Sequence, residues 1–387
     1  MAADLDLLVI AELNPDVLVA AGDVDVRFGQ IEQLVENATI TLGSSGAITA
    51  AAAAAQGLSV GICAVVGDDR VGTWTTEMLA DLGVDVTCVV RRAGRPTGMS
   101  VVITRPDGDR AILTFSGTMA EMSAADVPHE QLRAANHVHA SSFFLQQGLQ
   151  AGLPALFGTA RAAGAKTSLD TGWAPKGEWA NAKPVLDQVD YLLPNAHECV
   201  KLAATVGWRH DQLPGDRPGE RDRDGRDSRR DGDRRPDGDG RPDDDGRRDG
   251  DARRGDWRDR RHEDGPRLDD EKVQKIIRGA AEALQRHGPA VAVKLGPAGG
   301  MIVGAGPAAL VHGRSAQVVD TTGAGDSFNA GFIAGVLDGS SPTESLKRAV
   351  SSGTIAVTGW GGTGRLASRD EAVGAAAELT AERLPAR

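Results

Sequence analysis

Short, nearly continuous apolar runs alternate along this chain with longer segments in which apolar residues return every three or four positions. Leu7–Ala11, Ser59–Val66, His137–Ser141, Lys166–Asp170, Tyr191–Pro194, Ala290–Leu295 and Met301–Val303 read as buried strands. Helical spacing runs from Val71 to Leu82, between Ser141 and Lys166, from near Ala196, and over about 325–337, 343–358 and 369–382. This alternation predicts an α/β fold with a central, mainly parallel sheet flanked by helices, because parallel neighbours need a crossover and the helix supplies it. Gly46–Ala55 reads as a small-residue helix packed closely against that sheet.

One region breaks the alternation. Met99–Thr104 and Arg110–Phe115 flank Pro106-Asp107-Gly108-Asp109, whose Asp-Gly pair suits a hairpin turn. Val17–Ala20 and Val24–Arg27 add candidate strands. Together, about 13–30 and 97–116 predict a small β-sheet lid over a site.

Composition narrows the function. The formal net charge of −11 over 387 residues argues against nucleic acid and against a polybasic membrane anchor, since both need a basic face. The acidic N-terminus lacks the basic start of a signal peptide. The most apolar stretch falls well short of the roughly 20 residues of a membrane span. Cys63, Cys88 and Cys199 are too scattered for a disulfide framework, which fits a reduced, cytoplasmic setting. Residues 215–265 hold 16 Arg against 18 Asp and Glu, with Ala252 and Trp257 their only hydrophobic residues. Such a tract buries too little apolar surface to order itself, so it reads as a disordered, nearly charge-balanced insertion.

The strongest chemical signal is the stretch from Gln317 to Gly331. A strand-like run enters a glycine turn and a helix opens near Gly325, where unpaired N–H groups favour an anion. Gly323 and Gly325 let backbone approach a phosphate. Asp326 would repel that phosphate unless it has another task, such as accepting the proton of an attacking hydroxyl; the alternative is an N-cap. Walker A and protein-kinase motifs are absent from the sequence.

The run Asp320–Gly331 resembles the second signature of the PfkB (ribokinase-like) carbohydrate kinase family. Gly43-Ser-Ser-Gly46-Ala-Ile-Thr-Ala through Val65-Val-Gly67-Asp68-Asp69-Arg-Val-Gly72 is similar to its first. Leu193-Pro-Asn195-Ala-His-Glu198 resembles the family's N-x-x-E, and Asn14-Pro-Asp16 the end of its G-x-x-N-x-D. The resemblance implies a ribokinase-like kinase domain split into 1–214 and 266–387 by the insertion, the second part carrying nucleotide and catalytic motifs. It implies ATP-dependent phosphorylation of a hydroxymethyl group on a small-molecule sugar. In that scheme Asp326 is the base and Gly323, Ala324 and Gly325 form the anion hole. Asn14, Asp16, Gly43, Ser44 and Ser45 would hold the sugar. Asn195 and Glu198 would organise Mg²⁺ and phosphates through water, or else form a helix capping box. Lys294, Gly296 and Gly299 match the nucleotide loop, for which a plain hairpin loop is the alternative. Asp320, Thr322, Ala356, Gly359 and Gly361 match the site of a monovalent cation, K⁺, in some relatives.

Departures refine the substrate. The ribokinase-type G-G-K-G-A-N is here Gly43-Ser44-Ser45-Gly46-Ala47-Ile48, which weakens the case for ribose but not for kinase chemistry. Ser168-Leu-Asp170-Thr-Gly-Trp173 resembles the D-x-N-x-R of other relatives without its Asn and Arg, so acidic sugars are less favoured, although Arg110 keeps them open. A nucleoside kinase of the same fold, with Phe115, Phe143 and Phe144 around a base, is the nearest rival. A non-catalytic sugar sensor is the rival from another class, and Asp326 argues against it. An exposed lid edge predicts a homodimer through the lid.

Overall fold

The computed structural model describes residues 5–22, 26–105, 110–210 and 267–385. Its strands, in chain order, are β1 (Leu5–Ile10), β2 (Pro15–Ala20), β3 (Asn37–Leu42), β4 (Val60–Gly67), β5 (Asp85–Arg92), β6 (Met99–Thr104), β7 (Arg110–Phe115), β8 (Ala135–Ala140), β9 (Lys166–Leu169), β10 (Tyr191–Leu192), β11 (Ala290–Lys294), β12 (Gly299–Val303), β13 (Ala309–His312) and β14 (Ala381–Arg383). The helices are α1 (Ser45–Ala55), α2 (Arg70–Asp81), α3 (His129–Ala134), α4 (Gln147–Gln150), α5 (Leu153–Ala162), α6 (Ala196–Thr205), α7 (Glu271–Gln285), α8 (Ala324–Leu337), α9 (Pro342–Ala356) and α10 (Arg369–Ala377).

Ten strands form the main sheet in the order β14-β13-β12-β11-β10-β9-β8-β1-β4-β5. From β5 through to β11 the pairs are parallel, and β12–β14 append an antiparallel edge. β4 is buried along its whole length because helices cover both sheet faces. On one face Leu7, Val9 and Ile62 meet the alanines of α1 and Ala330 and Ile333 of α8. A methyl on Gly46 would overlap the Ala11 side chain, so the small residues of α1 let helix and sheet approach closely. On the other face α5, α6 and α7 bury Phe157, Cys199 and Ile277. Among the described residues no helix is long and apolar enough to cross a membrane.

The lid is a separate four-stranded sheet, β3-β2-β6-β7. β6 and β7 pair antiparallel as the hairpin pattern predicts, although the turn at 106–109 lies outside the described residues. The remaining strand differs from expectation. Val26 and Arg27 are irregular, and β3 instead pairs antiparallel with β2 from Pro15↔Leu42 to Ala20↔Asn37. Ile40, Ile112, Leu113 and Phe115 are exposed on this sheet, where a homodimer was expected to close.

Two other expectations change, and one strand was not anticipated. The apolar run entering the glycine turn is not a strand: Val318 and Val319 are exposed, and the Val319 amide donates to the Val357 carbonyl just beyond α9. The last helix stops at Ala377, and β14 pairs with β13 where helix was expected to about 382. β5 carries Asp85, Arg91 and Arg92 and gives no continuous apolar run, yet it is the edge strand beside β4. The insertion 215–265 lies outside the described residues.

Candidate active site

The site lies where the parallel strands end and α1, α6 and α8 begin, the usual ligand crevice of an open α/β sheet. β1 runs out into Glu12 and Asn14, β8 into Ser141, β9 into Asp170, and β11 ends on Lys294. The lid strands β2 and β7 carry Asp16 and Arg110.

Lys294 is the electrostatic centre. Its Nζ donates to Asp170 Oδ2 at 2.5 Å, and Asn329 Nδ2 of α8 donates to the same oxygen at 2.6 Å. Burial pulls the lysine down, but Asp170 and Glu198 outweigh it and hold the ammonium above its ordinary value. Burial likewise pushes Asp170 up, but Lys294 and Asn329 hold it below the usual carboxylate range. Both partners stay charged. A methyl on Gly325 would lie 3.7 Å from Nζ, so this cation sits beside the turn that opens α8. The sequence groups Lys294 with a nucleotide loop; the structure turns its charge away from Gly296 and Gly299 and toward Asp170 and α8. Gly299 has a packing reason of its own, since a side chain there would strike the Val311 carbonyl.

Gly323 caps α8 in the left-handed conformation (φ 77°), and a side chain would meet the backbone of Gly362. Ala324, Gly325 and Asp326 follow as the first turn, so Asp326 is the third helical residue and not an N-cap. The Ala324 amide donates to the Thr321 carbonyl at 3.3 Å; the next amides have no acceptor within the helix. Asp326 Oδ1 accepts the Ser45 hydroxyl at 2.5 Å. Burial pushes its carboxyl up to about 7, opposed by the Ser45 bond, reinforced by Asp170, and opposed again by Lys294 and Arg110.

Of the residues expected to hold a sugar, Ser45 reaches Asp326 directly, and Asn14, Asp16 and Gly43 meet one another. Ser44, at φ 70°, donates its hydroxyl to the Glu12 carbonyl and accepts the Ala47 amide, capping α1. Gly43 has no room for a side chain because the Asp16 carboxylate occupies that position. Asn14 Nδ2 donates to Asp16 Oδ1 at 3.3 Å. Burial pushes Asp16 up to about 6, with Ser100 and Arg110 opposing.

Asn195 and Glu198 fulfil the capping alternative in full. The Glu198 amide donates to Asn195 Oδ1 at 2.9 Å, and Glu198 accepts the Asn195 amide at 2.9 Å and Nδ2 at 2.8 Å. The same carboxylate is buried beside Lys294, and burial followed by the Asp170 charge pushes it up to about 7. Capping thus fixes a carboxylate inside the site. Asp320 clamps two loops: its oxygens accept the Thr322 amide, the Thr322 hydroxyl and the Gly361 amide, all within 3.0 Å. Ala356 ends α9 and Gly359 follows on the second loop, its amide donating to the Ala356 carbonyl.

The sequence assigns no role to Asp170, Asn329, Glu12 or Ser141. Asp170 had one usable signal, a carboxylate at the end of a buried strand with a lysine at the end of another. Glu12 is 3% exposed and its Oε2 has no hydrogen-bond partner. Burial pushes its carboxyl up to about 7 despite a Ser142 hydrogen bond, and Asp326 adds to the rise. Raised above the unfolded value, this acid weakens folding increasingly from about pH 4.5 to 7 and by a constant amount above. Glu12→Gln should therefore flatten the pH dependence of stability, raising Tm at pH 8 relative to wild type more than at pH 5. An equal shift at both pH values by differential scanning fluorimetry would refute a charge effect.

Over residues 5–213 and 266–367 the chain matches the profile described as pfkB family carbohydrate kinase. The chain belongs to that family. The match is interrupted where the Arg/Asp-rich tract interrupts the sequence. Among curated relatives, the 2-dehydro-3-deoxygluconokinase of Bacillus subtilis (strain 168) is 25% identical over 348 residues, covering 87% of this kinase and 88% of the relative. Among solved structures, Arabidopsis thaliana ribokinase complexed with ribose and ATP superposes with a TM-score of 0.68 at 21% identity, covering 96% of this kinase and 98% of that chain. A putative ribokinase II from E. coli in complex with ATP and Mg²⁺ gives 0.68 at 18% identity, covering 96% and 98%. Adenosine kinase from Sinorhizobium meliloti gives 0.66 at 19%, covering 97% and 99%. These structures share the fold of this carbohydrate kinase.

Proposed function

We propose that this kinase uses ATP to phosphorylate a hydroxymethyl group of a neutral sugar or sugar-like molecule. The observation that carries the reading is the 2.5 Å bond from a hydroxyl to Asp326, on the first turn of α8 and near Lys294. A carboxylate titrating near neutrality, already holding a hydroxyl proton, is suited to general-base work. In this reading Asn14 and Asp16 orient the sugar, Asp326 receives the proton of its hydroxymethyl group, and the Gly323–Gly325 turn with Lys294 receives the phosphoryl charge.

Among the described residues no three His, Cys, Asp or Glu side chains gather as a direct metal site. Glu198, with both oxygens already accepting from Asn195, suits Mg²⁺ held through water, as that ion prefers. Bound with ATP, the ion would neutralise phosphate charge. The K⁺ part of the reading rests on the loops clamped by Asp320.

Glu12, Asp16 and Asp326 face the sugar side with Arg110 as the lid's counter-charge, which favours neutral over acidic substrates. The nucleoside reading loses two of its three aromatics: Phe143 and Phe144 are buried, Phe144 edge-on to Trp179, leaving Phe115 on the lid. ADP release with Mg²⁺-ATP should be stimulated most by a neutral sugar in a panel of D-ribose, D-fructose, 2-dehydro-3-deoxygluconate and adenosine. Stimulation by adenosine alone, or by none, would overturn the reading.

A further inference from the structure

Ser45 holds the catalytic position that a substrate hydroxyl is expected to hold. Its Oγ donates to Asp326 Oδ1 at 2.5 Å, within the range of a charge-assisted O–H···O⁻ bond. Ser141 Oγ lies 3.0 Å from Ser45 Oγ. Since the Ser45 proton points at Asp326, Ser141 is the donor of that pair, and one lone pair of Ser45 Oγ remains free. Ser45 is also the first residue of α1, where a phosphate would gain from the helix dipole, and the Lys294 charge acts on Asp326. The lysine of the ribokinase-type motif at this position carries no hydroxyl and could not accept a phosphoryl group this way.

We propose that Ser45 is a phosphoacceptor: with ATP bound and no sugar present, the kinase transfers the γ-phosphoryl group to its own Ser45 and so blocks its sugar site. The inference rests on the reading of Asp326 as base and the α8 turn as phosphate site. A bond forms between Ser45 Oγ and the γ-phosphorus. The bond from that phosphorus to the β–γ bridging oxygen breaks, its electron pair leaving with ADP, and the Ser45 proton passes to Asp326. Bound sugar prevents the reaction because its own hydroxyl must displace Ser45 from Asp326 Oδ1. The phosphoserine, bulky and charged beside Asp326, would then exclude the sugar.

The test incubates the full chain with Mg²⁺ and γ-labelled ATP, with and without the acceptor panel named above, and locates label by tandem mass spectrometry. Expected is label on Ser45 approaching one phosphate per chain, suppressed by an acceptor, absent from Asp326→Asn and from Ser45→Ala, with sugar turnover falling in step as label accumulates. Ser45→Thr, which keeps a hydroxyl, should restore labelling at that position. Sugar turnover without any label on Ser45 overturns this inference alone. Label on another residue, or label on Ser45 that survives Asp326→Asn, also overturns it. Neither turnover nor label overturns both this inference and the proposed function, whereas label on Ser45 without turnover of any acceptor upholds this one and refutes the assigned substrate class.

Discussion

Asp326→Asn is expected to lower kcat by about 10²–10⁴-fold, the range for loss of a general base. That corresponds to roughly 3–5 kcal/mol of transition-state stabilisation at 1.36 kcal/mol per tenfold. Asn keeps the size of the side chain and can still accept the Ser45 hydroxyl, so folding should survive. Because Asp326 is the third residue of α8 and Gly323 is the cap, no helix-capping bond is lost that could account for a drop. The wild-type pH profile adds a second signature. Burial pushes this carboxyl up to about 7, and only its deprotonated form accepts a proton, so kcat should fall as pH drops below that value. The Asn variant should lack that acid limb. Steady-state kinetics from pH 5.5 to 8.5 on protein checked by circular dichroism would decide it. A folded variant retaining kcat within about threefold, far less than a base contributes, excludes Asp326 as base.

Lys294→Met is expected to cost both activity and stability. It removes the cation from a buried pair whose side chains are 13% and 6% exposed, leaving Asp170 with only the neutral donors Asn329 Nδ2 and the Gly172 amide. Breaking one partner of a buried pair typically destabilises by about 3–5 kcal/mol, because the other charge is stranded without solvent. Asp170, now uncompensated, should take up a proton near neutral pH, and Glu198 and Asp326 should titrate still higher without the lysine that lowers both. The double variant Lys294→Met/Asp170→Asn should recover most of the stability and little of the turnover. Urea unfolding and kcat for the two variants test this. A single variant as stable as wild type would mean that water reaches Asp170 and the pair is not electrostatically buried.

Local pattern alone determined the α/β class, the β6–β7 hairpin, the close-packed α1 and the glycine turn before α8. Each of these rests on a few adjacent residues: a continuous apolar run for a doubly covered strand, alanines and Gly46 for tight packing, glycine where φ must be positive or a side chain has no room. The Asn195–Glu198 spacing was legible too as a capping box, and that capping holds the Glu198 carboxylate in place. Tertiary structure decided what depends on partners far away in the chain. β3 and β14 exist because β2 and β13 offer free edges, and Val319 leaves strand geometry for a carbonyl beyond α9. The pairing of Asp170 with Lys294, 124 positions apart, has no local trace, and neither has the contact of Ser45 with Asp326 across 281. The same holds for the titration of Glu12, Glu198 and Asp326 near neutrality: a carboxyl departs from its ordinary range only when burial removes its water, and burial is a property of the packed chain.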